Sequence, residues 1–144
     1  MSRQSRFPLL TKHTLRTLFT ATAAAAVLVA CEPEVPLDPR TDYWAGPWTC
    51  EEQTGDLAPQ VYSVEVDLGT DPDGVTVSGL YNQGLNFTVS GTVSGTTLTI
   101  PEQNLNGFTL SGSGTYSVLT DLVTYTLVVN DGGSTDFTSG RWIR

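Results

Sequence analysis

Beyond residue 16 the chain contains no lysine and no histidine. Nucleophilic catalysis of the Ser-His-Asp or Cys-His kind needs a base beside the nucleophile, and neither residue type is there to supply one. The expectation is a protein that is not an enzyme. Positive charge is equally scarce. Four of the seven basic residues, Arg3, Arg6, Lys12 and Arg16, fall in the first sixteen positions, which leaves Arg40, Arg141 and Arg144 against all fifteen acids, 3 − 15 = −12. Such a chain is repelled by phosphate, so nucleic acid is set aside as a partner. Long apolar runs are missing too. The longest, from Leu18 to Ala30, has thirteen residues, about two thirds of the roughly 20 that a helix needs to cross a bilayer.

The short apolar run has a different use. It follows a positive, acid-free stretch and ends in Leu28-Val29-Ala30-Cys31, the order of a signal peptide. The tetrapeptide resembles the lipobox of bacterial lipoproteins, in which a leucine and two mostly small residues precede a cysteine that is acylated and becomes the first residue after cleavage. Val29 is bulkier than the usual occupant of its place. An ordinary A-x-A-type cleavage, with Cys31 a bystander, wants a small residue where Leu28 stands. The resemblance implies that residues 1–30 are removed as a signal peptide and that Cys31 carries palmitate-type acyl chains. Two or three such chains, at about 0.8 kcal/mol per buried methylene, make a permanent membrane anchor. Glu32 and Glu34 resemble the acidic sorting residues of lipoproteins in Gram-negative bacteria, so the expected location is the cell envelope, tethered to the outer membrane. With Cys31 modified, Cys50 is left without an intrachain partner. Two residues from Trp48, it is expected to pack as a small hydrophobe.

Residues 31–42 are rich in proline and acid, which describes a semi-rigid linker expected to lift the folded part off the membrane. The folded part is expected over 43–144, about 100 residues and so a single core. Here side chains alternate in steps of two and turn residues recur at short intervals, while no window carries a useful 3.6-residue period, so strands are expected and helix is not. The candidate strands are about 46–53, 60–68, 74–81, 85–93, 96–100, 107–117, 121–130 and 136–143. Tyr62, Val64, Val66 and Leu68 are expected on the buried face, as are Leu85, Phe87, Val89 and Val93, then Leu98, Ile100, Phe108 and Leu110. Gly112 and Gly114 share that face, where glycine lets a sheet coil sharply. The segment from Leu122 to Val129 is apolar on both faces. Hairpin-type connectors such as Thr70-Asp71-Pro72-Asp73-Gly74 and Asp131-Gly132-Gly133-Ser134 make the strands an antiparallel meander. Closing such a sheet removes its exposed edges, and eight short strands favour a barrel filled by its own side chains.

Gly46, Trp48, Arg141 and Arg144 resemble the signature of the calycin superfamily of lipocalins and their relatives, in which a G-x-W tryptophan at the barrel base is covered by a late basic side chain. The resemblance implies an all-β, up-and-down barrel, without the C-terminal helix or paired cysteines of a typical lipocalin. The wider run of Trp48-Thr49-Cys50-Glu51-Glu52, Tyr62 to Val66, Thr97 to Pro101 and the closing Trp142-Ile143-Arg144 looks like short β lipoproteins of Gram-negative bacteria, a likeness that brings no activity with it.

Candidate sites are few. Glu51, Glu52 and Glu65 could converge as a carboxylate pair between neighbouring strands, although outward acids for solubility are the simpler expectation. Asp71 and Asp73 beside Gly74, or Asp131 with Asp136, put hard oxygens in loops as Ca²⁺ prefers, but without the spacing of an EF-hand loop. Plain turns are expected there, and neither metal nor cofactor is assigned. Tyr43, Trp44, Trp48 and Trp142 should cluster where the first and last strands meet. They would either plug the barrel or, with Trp44 and Tyr43 outermost, stack on a sugar ring or a peptide. The expectation is thus a lipid-anchored binding or interaction module of the envelope, whose partner is an envelope protein, a glycan or a small apolar ligand. Its alternatives are a lipocalin-like carrier and a structural accessory subunit. A carrier would line its cavity with Phe87, Leu98, Phe108, Leu110, Tyr125 and Leu127, whereas an accessory subunit needs exposed apolar surface and can have a solid core.

Overall fold

The computed structural model describes residues 38–144. Leu28, Val29, Ala30 and Cys31 lie outside the described residues. Eight strands form one closed antiparallel barrel in sequence order: β1 Gly46–Thr54, β2 Gln60–Leu68, β3 Gly74–Ser78, β4 Thr88–Ser94, β5 Thr97–Leu105, β6 Phe108–Ser117, β7 Leu122–Asn130 and β8 Thr135–Ile143. This is the up-and-down barrel expected from the alternation. β1 closes the ring by pairing with β8 from Thr49 opposite Ile143 to Thr54 opposite Ser139, with an irregularity between Glu52 and Thr54.

Parity decides which side chains enter. Trp48 and Cys50 point inward from β1, Val64 and Val66 from β2, Val75 and Val77 from β3, and Val123, Tyr125, Leu127 and Val129 from β7. The two-faced apolar run of β7 is thereby resolved: its other face, Thr124, Thr126 and Val128, is exposed. Burying an aliphatic or aromatic side chain completely stabilises by about 1.5–3 kcal/mol, so this single core dominates the folding energy.

Departures from expectation occur where the chain leaves the ladder. The third strand ends at Ser78 and not at residue 81, because Gly79 turns left-handed and a 3₁₀ turn follows over Leu80–Asn82. The fourth begins at Thr88, so Leu85 lies in the preceding connector and is exposed, while Phe87 still reaches the core. Leu68 is exposed as well, because it ends β2 at the rim. The fifth strand runs past Pro101 to Leu105, with the register shifting between Ile100 and Gln103. A proline can sit at such a bulge because no ladder bond is asked of it. Finally, a helical turn over Arg40–Trp44 precedes β1. Part of the expected spacer is therefore folded onto the barrel: the Arg40 guanidinium bonds the Asp38 carboxylate and donates to the Asp71 carbonyl at 2.8 Å.

Candidate functional site

The end of the barrel where the chain enters is called proximal here. It carries the β2–β3, β4–β5 and β6–β7 connectors. Gly46, at φ +112°, lets the backbone swing from the entry turn into β1, a conformation costly for any side chain bearing a Cβ. Trp48 then points inward, donating from its indole Nε1 to the Trp44 carbonyl at 2.8 Å. The Arg144 guanidinium lies over the Trp48 ring, 4.1 Å from its centroid, and donates to the carbonyls of Tyr43 and Ala45 at 3.2 and 3.1 Å. A tryptophan on the first strand covered by a basic side chain just beyond the last is the arrangement that the calycin resemblance implied.

Arg141 takes no part in it. On β8 the inward positions are Asp136, Thr138, Gly140 and Trp142, so Arg141 falls on the outer face, where its Nε donates to Glu51 at 2.7 Å. Arg144, two residues beyond Trp142, is in step with the inward positions and stands just past the strand end, where its side chain reaches Trp48.

The expected aromatic cluster forms, as a plug. Trp48 and Trp142 approach to 6.4 Å between centroids, and Trp142 packs on Tyr125 at 5.6 Å. Trp44, Trp48 and Trp142 are all buried, so none offers a ring face to a sugar or peptide. Trp44 is held inside by its own hydrogen bond to the Gly95 carbonyl. Tyr43 remains half-buried, stacked 5.0 Å from Tyr116.

The opposite, distal end is closed differently. Tyr81 and Phe87 each meet Phe108 edge to face, at 6.1 and 6.2 Å. Beneath them lies a polar layer that the expected sites do not include. Glu52, in phase with Trp48 and Cys50, points inward and is only 1% exposed. Its carboxylate accepts from Tyr62 Oη at 2.9 Å, and the Cys50 thiol donates to Tyr125 Oη at 3.2 Å. Burial pushes both phenols and the thiol up from their ordinary values. A thiol so held is a poor nucleophile, in keeping with the packing role expected for Cys50. Asp136 is buried beside this layer and accepts from the Asp56 amide and from Tyr81 Oη, each at 3.0 Å. Burial, then this hydrogen bond, push Tyr81 to about 12.

These placements separate the candidate groups. Glu51 and Glu52 face opposite sides of the sheet, and Glu65, outward like Glu51, stands opposite Pro47 while Glu51 stands opposite Val61, so the glutamates make no facing pair. Asp131 and Asp136 do not share a site: Asp131 caps its own turn, accepting from the amides of Gly133 and Ser134 at 2.8 Å. Those amides hold its carboxyl below the usual value. Asp71 and Asp73 lie in the proximal β2–β3 connector, exposed. Among the described residues, no three or more acids, cysteines or histidines gather closely enough to hold a metal ion.

The residues that would line a carrier's cup are packed into the core. Phe87, Leu98, Leu110, Tyr125 and Leu127 are buried in one cluster, with Phe108 against it. The grooves that do occur lie on the outer face. One of about 370 Å³ runs past Leu68, Thr76, Ser90 and Pro101, and another of about 410 Å³ is lined by Glu102, Ser111, Val128 and Asn130. Beside the second, Val128 pairs with Phe137 across β7 and β8, and Phe137 is 69% exposed. Leu57, Val61 and Leu85 are exposed as well. Comparison with known proteins gave no matching family model, no similar curated protein and no similar solved structure.

Proposed function

We propose that the protein is a lipid-tethered interaction module of the cell envelope, non-catalytic, which meets its partner with the outer surface of a filled barrel. The observation that carries this reading is the contrast between inside and outside. The barrel is plugged by Trp44, Trp48 and Trp142 at one end and by Tyr81, Phe87 and Phe108 at the other, with hydrophobic core between. Meanwhile Phe137, Val128, Val61, Leu57 and Leu85 stand exposed. Exposed apolar side chains that stand side by side, as Val128 and Phe137 do across β7 and β8, mark a protein contact surface.

Charge narrows the partner. Each arginine among the described residues has a carboxylate within 4 Å: Arg40 with Asp38, Arg141 with Glu51 and Arg144 with Asp121. Among the described residues the other acids have no ion-pair partner, so an envelope protein with a basic face is the complementary partner. The carrier alternative is disfavoured by a cup whose lining is already packed, and the calycin resemblance supports barrel closure without requiring a cavity.

The test is native mass spectrometry of residues 36–144 purified gently from the host envelope. A bare mass, or one with a protein adduct, is expected. A stoichiometric small apolar molecule that survives exchange into clean buffer would return the carrier reading.

A further inference from the structure

The proximal rim carries apolar side chains with no packing role. Leu119 is 97% exposed and Val118 62% exposed in the β6–β7 turn, and Leu68 at the end of β2 is 49% exposed. In the closed order β2 and β6 stand on opposite sides of the barrel. The entry turn crosses between them, bonded through Arg40 to the β2–β3 connector and stacked through Tyr43 on Tyr116 at the end of β6. The described chain thus begins at the very end that displays these side chains. Seven peptide steps separate Cys31 from Asp38, and fully extended they reach at most about 25 Å.

We infer that the proximal rim, led by Leu119 and Val118, rests on the lipid surface to which Cys31 is attached, with the bilayer interface as the occupant of this apolar rim. The inference rests on reading Cys31 as a lipid anchor. The leash holds this end nearest the membrane, where exposed leucine and valine can leave water for the acyl boundary at little cost in conformational entropy, because the turn is already ordered. Asp42, Asp71, Asp73 and Asp121 share the same end and outnumber its arginines, Arg40 and Arg144. A zwitterionic headgroup layer therefore fits and an anionic one is repelled. Seated so, the barrel stands with its distal end, including Phe137, away from the membrane.

The experiment uses the acylated protein in phosphatidylcholine vesicles whose acyl chains carry bromine, with Leu119→Trp and Phe137→Trp introduced separately. Both positions are exposed, so neither change disturbs the core, and the native tryptophans give the same background in each. The indole at position 119 is expected to lose roughly half its emission relative to unbrominated vesicles, as a ring at the acyl boundary does, and the indole at position 137 to lose none. Adding anionic lipid should reduce the quenching. If the protein floats with the vesicles yet position 119 is not quenched, or both positions are quenched alike, the rim contact is overturned while the anchor stands. If the protein does not float and Cys31 bears no acyl mass, the anchor reading falls and the inference with it.

Discussion

Two arginines near the C-terminus look alike in sequence and differ in consequence. Arg144 covers Trp48 and ties down two carbonyls of the entry segment. Arg141 makes one ion pair on an outer face, with its side chain 47% exposed. Arg144→Ala should therefore destabilise the domain by about 1–2 kcal/mol, from a lost cation–π contact and carbonyls left to water. Arg141→Ala should change stability by less than about 0.5 kcal/mol, since exposed pairs contribute little. Urea denaturation of both variants distinguishes them, and equal losses would refute the assignment. Asp136 offers a second test at this scale. Its two oxygens accept from an amide and a phenol, and Asp136→Asn replaces one acceptor with a donor facing those donors. A loss of about 2 kcal/mol is expected, and the Tyr81 phenol should titrate below its present value of about 12, as followed by phenolate absorbance.

Among the elements, the seam between β1 and β8 tolerates least. Gly140 packs where a Cβ would strike the Glu51 carbonyl and come within 2.9 Å of the Glu52 Cα. Gly140→Ala must push the closing strands apart, at an expected cost of about 3 kcal/mol or more. Gly133, in an open turn with its nearest neighbour at 3.5 Å, should accept alanine within about 0.5 kcal/mol. Hydrogen exchange at the β1–β8 amides provides the readout, and undiminished protection in Gly140→Ala would sink the argument. The same elements explain what was legible beforehand. One-sided burial leaves an alternating sequence, so all eight strands and most inward positions could be read from parity. Leu80 and Leu85 misled because a 3₁₀ turn and a connector also carry apolar residues at near-strand spacing, and nothing local reveals the turn at Gly79. The fifth strand, expected to end at residue 100, only bulges there. At the distal end, parity with Trp48 and with Trp142 already placed Glu52 and Asp136 inside. Their charge argued for the surface, and the donors that reconcile them, Tyr62, Tyr81 and the Asp56 amide, arrive from other parts of the chain.

For the molecule as a whole, three phenols, two buried and one half-buried, set an upper pH limit. Tyr62, Tyr125 and Tyr81 all titrate above the usual 10.0 in the folded state. The folded form therefore retains protons that the unfolded form releases. Their contribution to stability is complete below pH 10 and is lost as pH climbs through 10 toward 12 and beyond. Alkaline unfolding should coincide with a late step in phenolate absorbance, whereas early ionisation of every tyrosine in a folded barrel would contradict the buried layer. Entry and exit of the domain, meanwhile, meet at one end, with the Arg144 guanidinium 3.2 Å from the Tyr43 carbonyl. Circular permutation thus needs a peptide that crosses this one end, from Arg144 back to Asp38, with new termini opened in the exposed turn at Gly132 and Gly133. The same barrel would then hang from its other pole, turning inside-out the question of which surface a partner meets first.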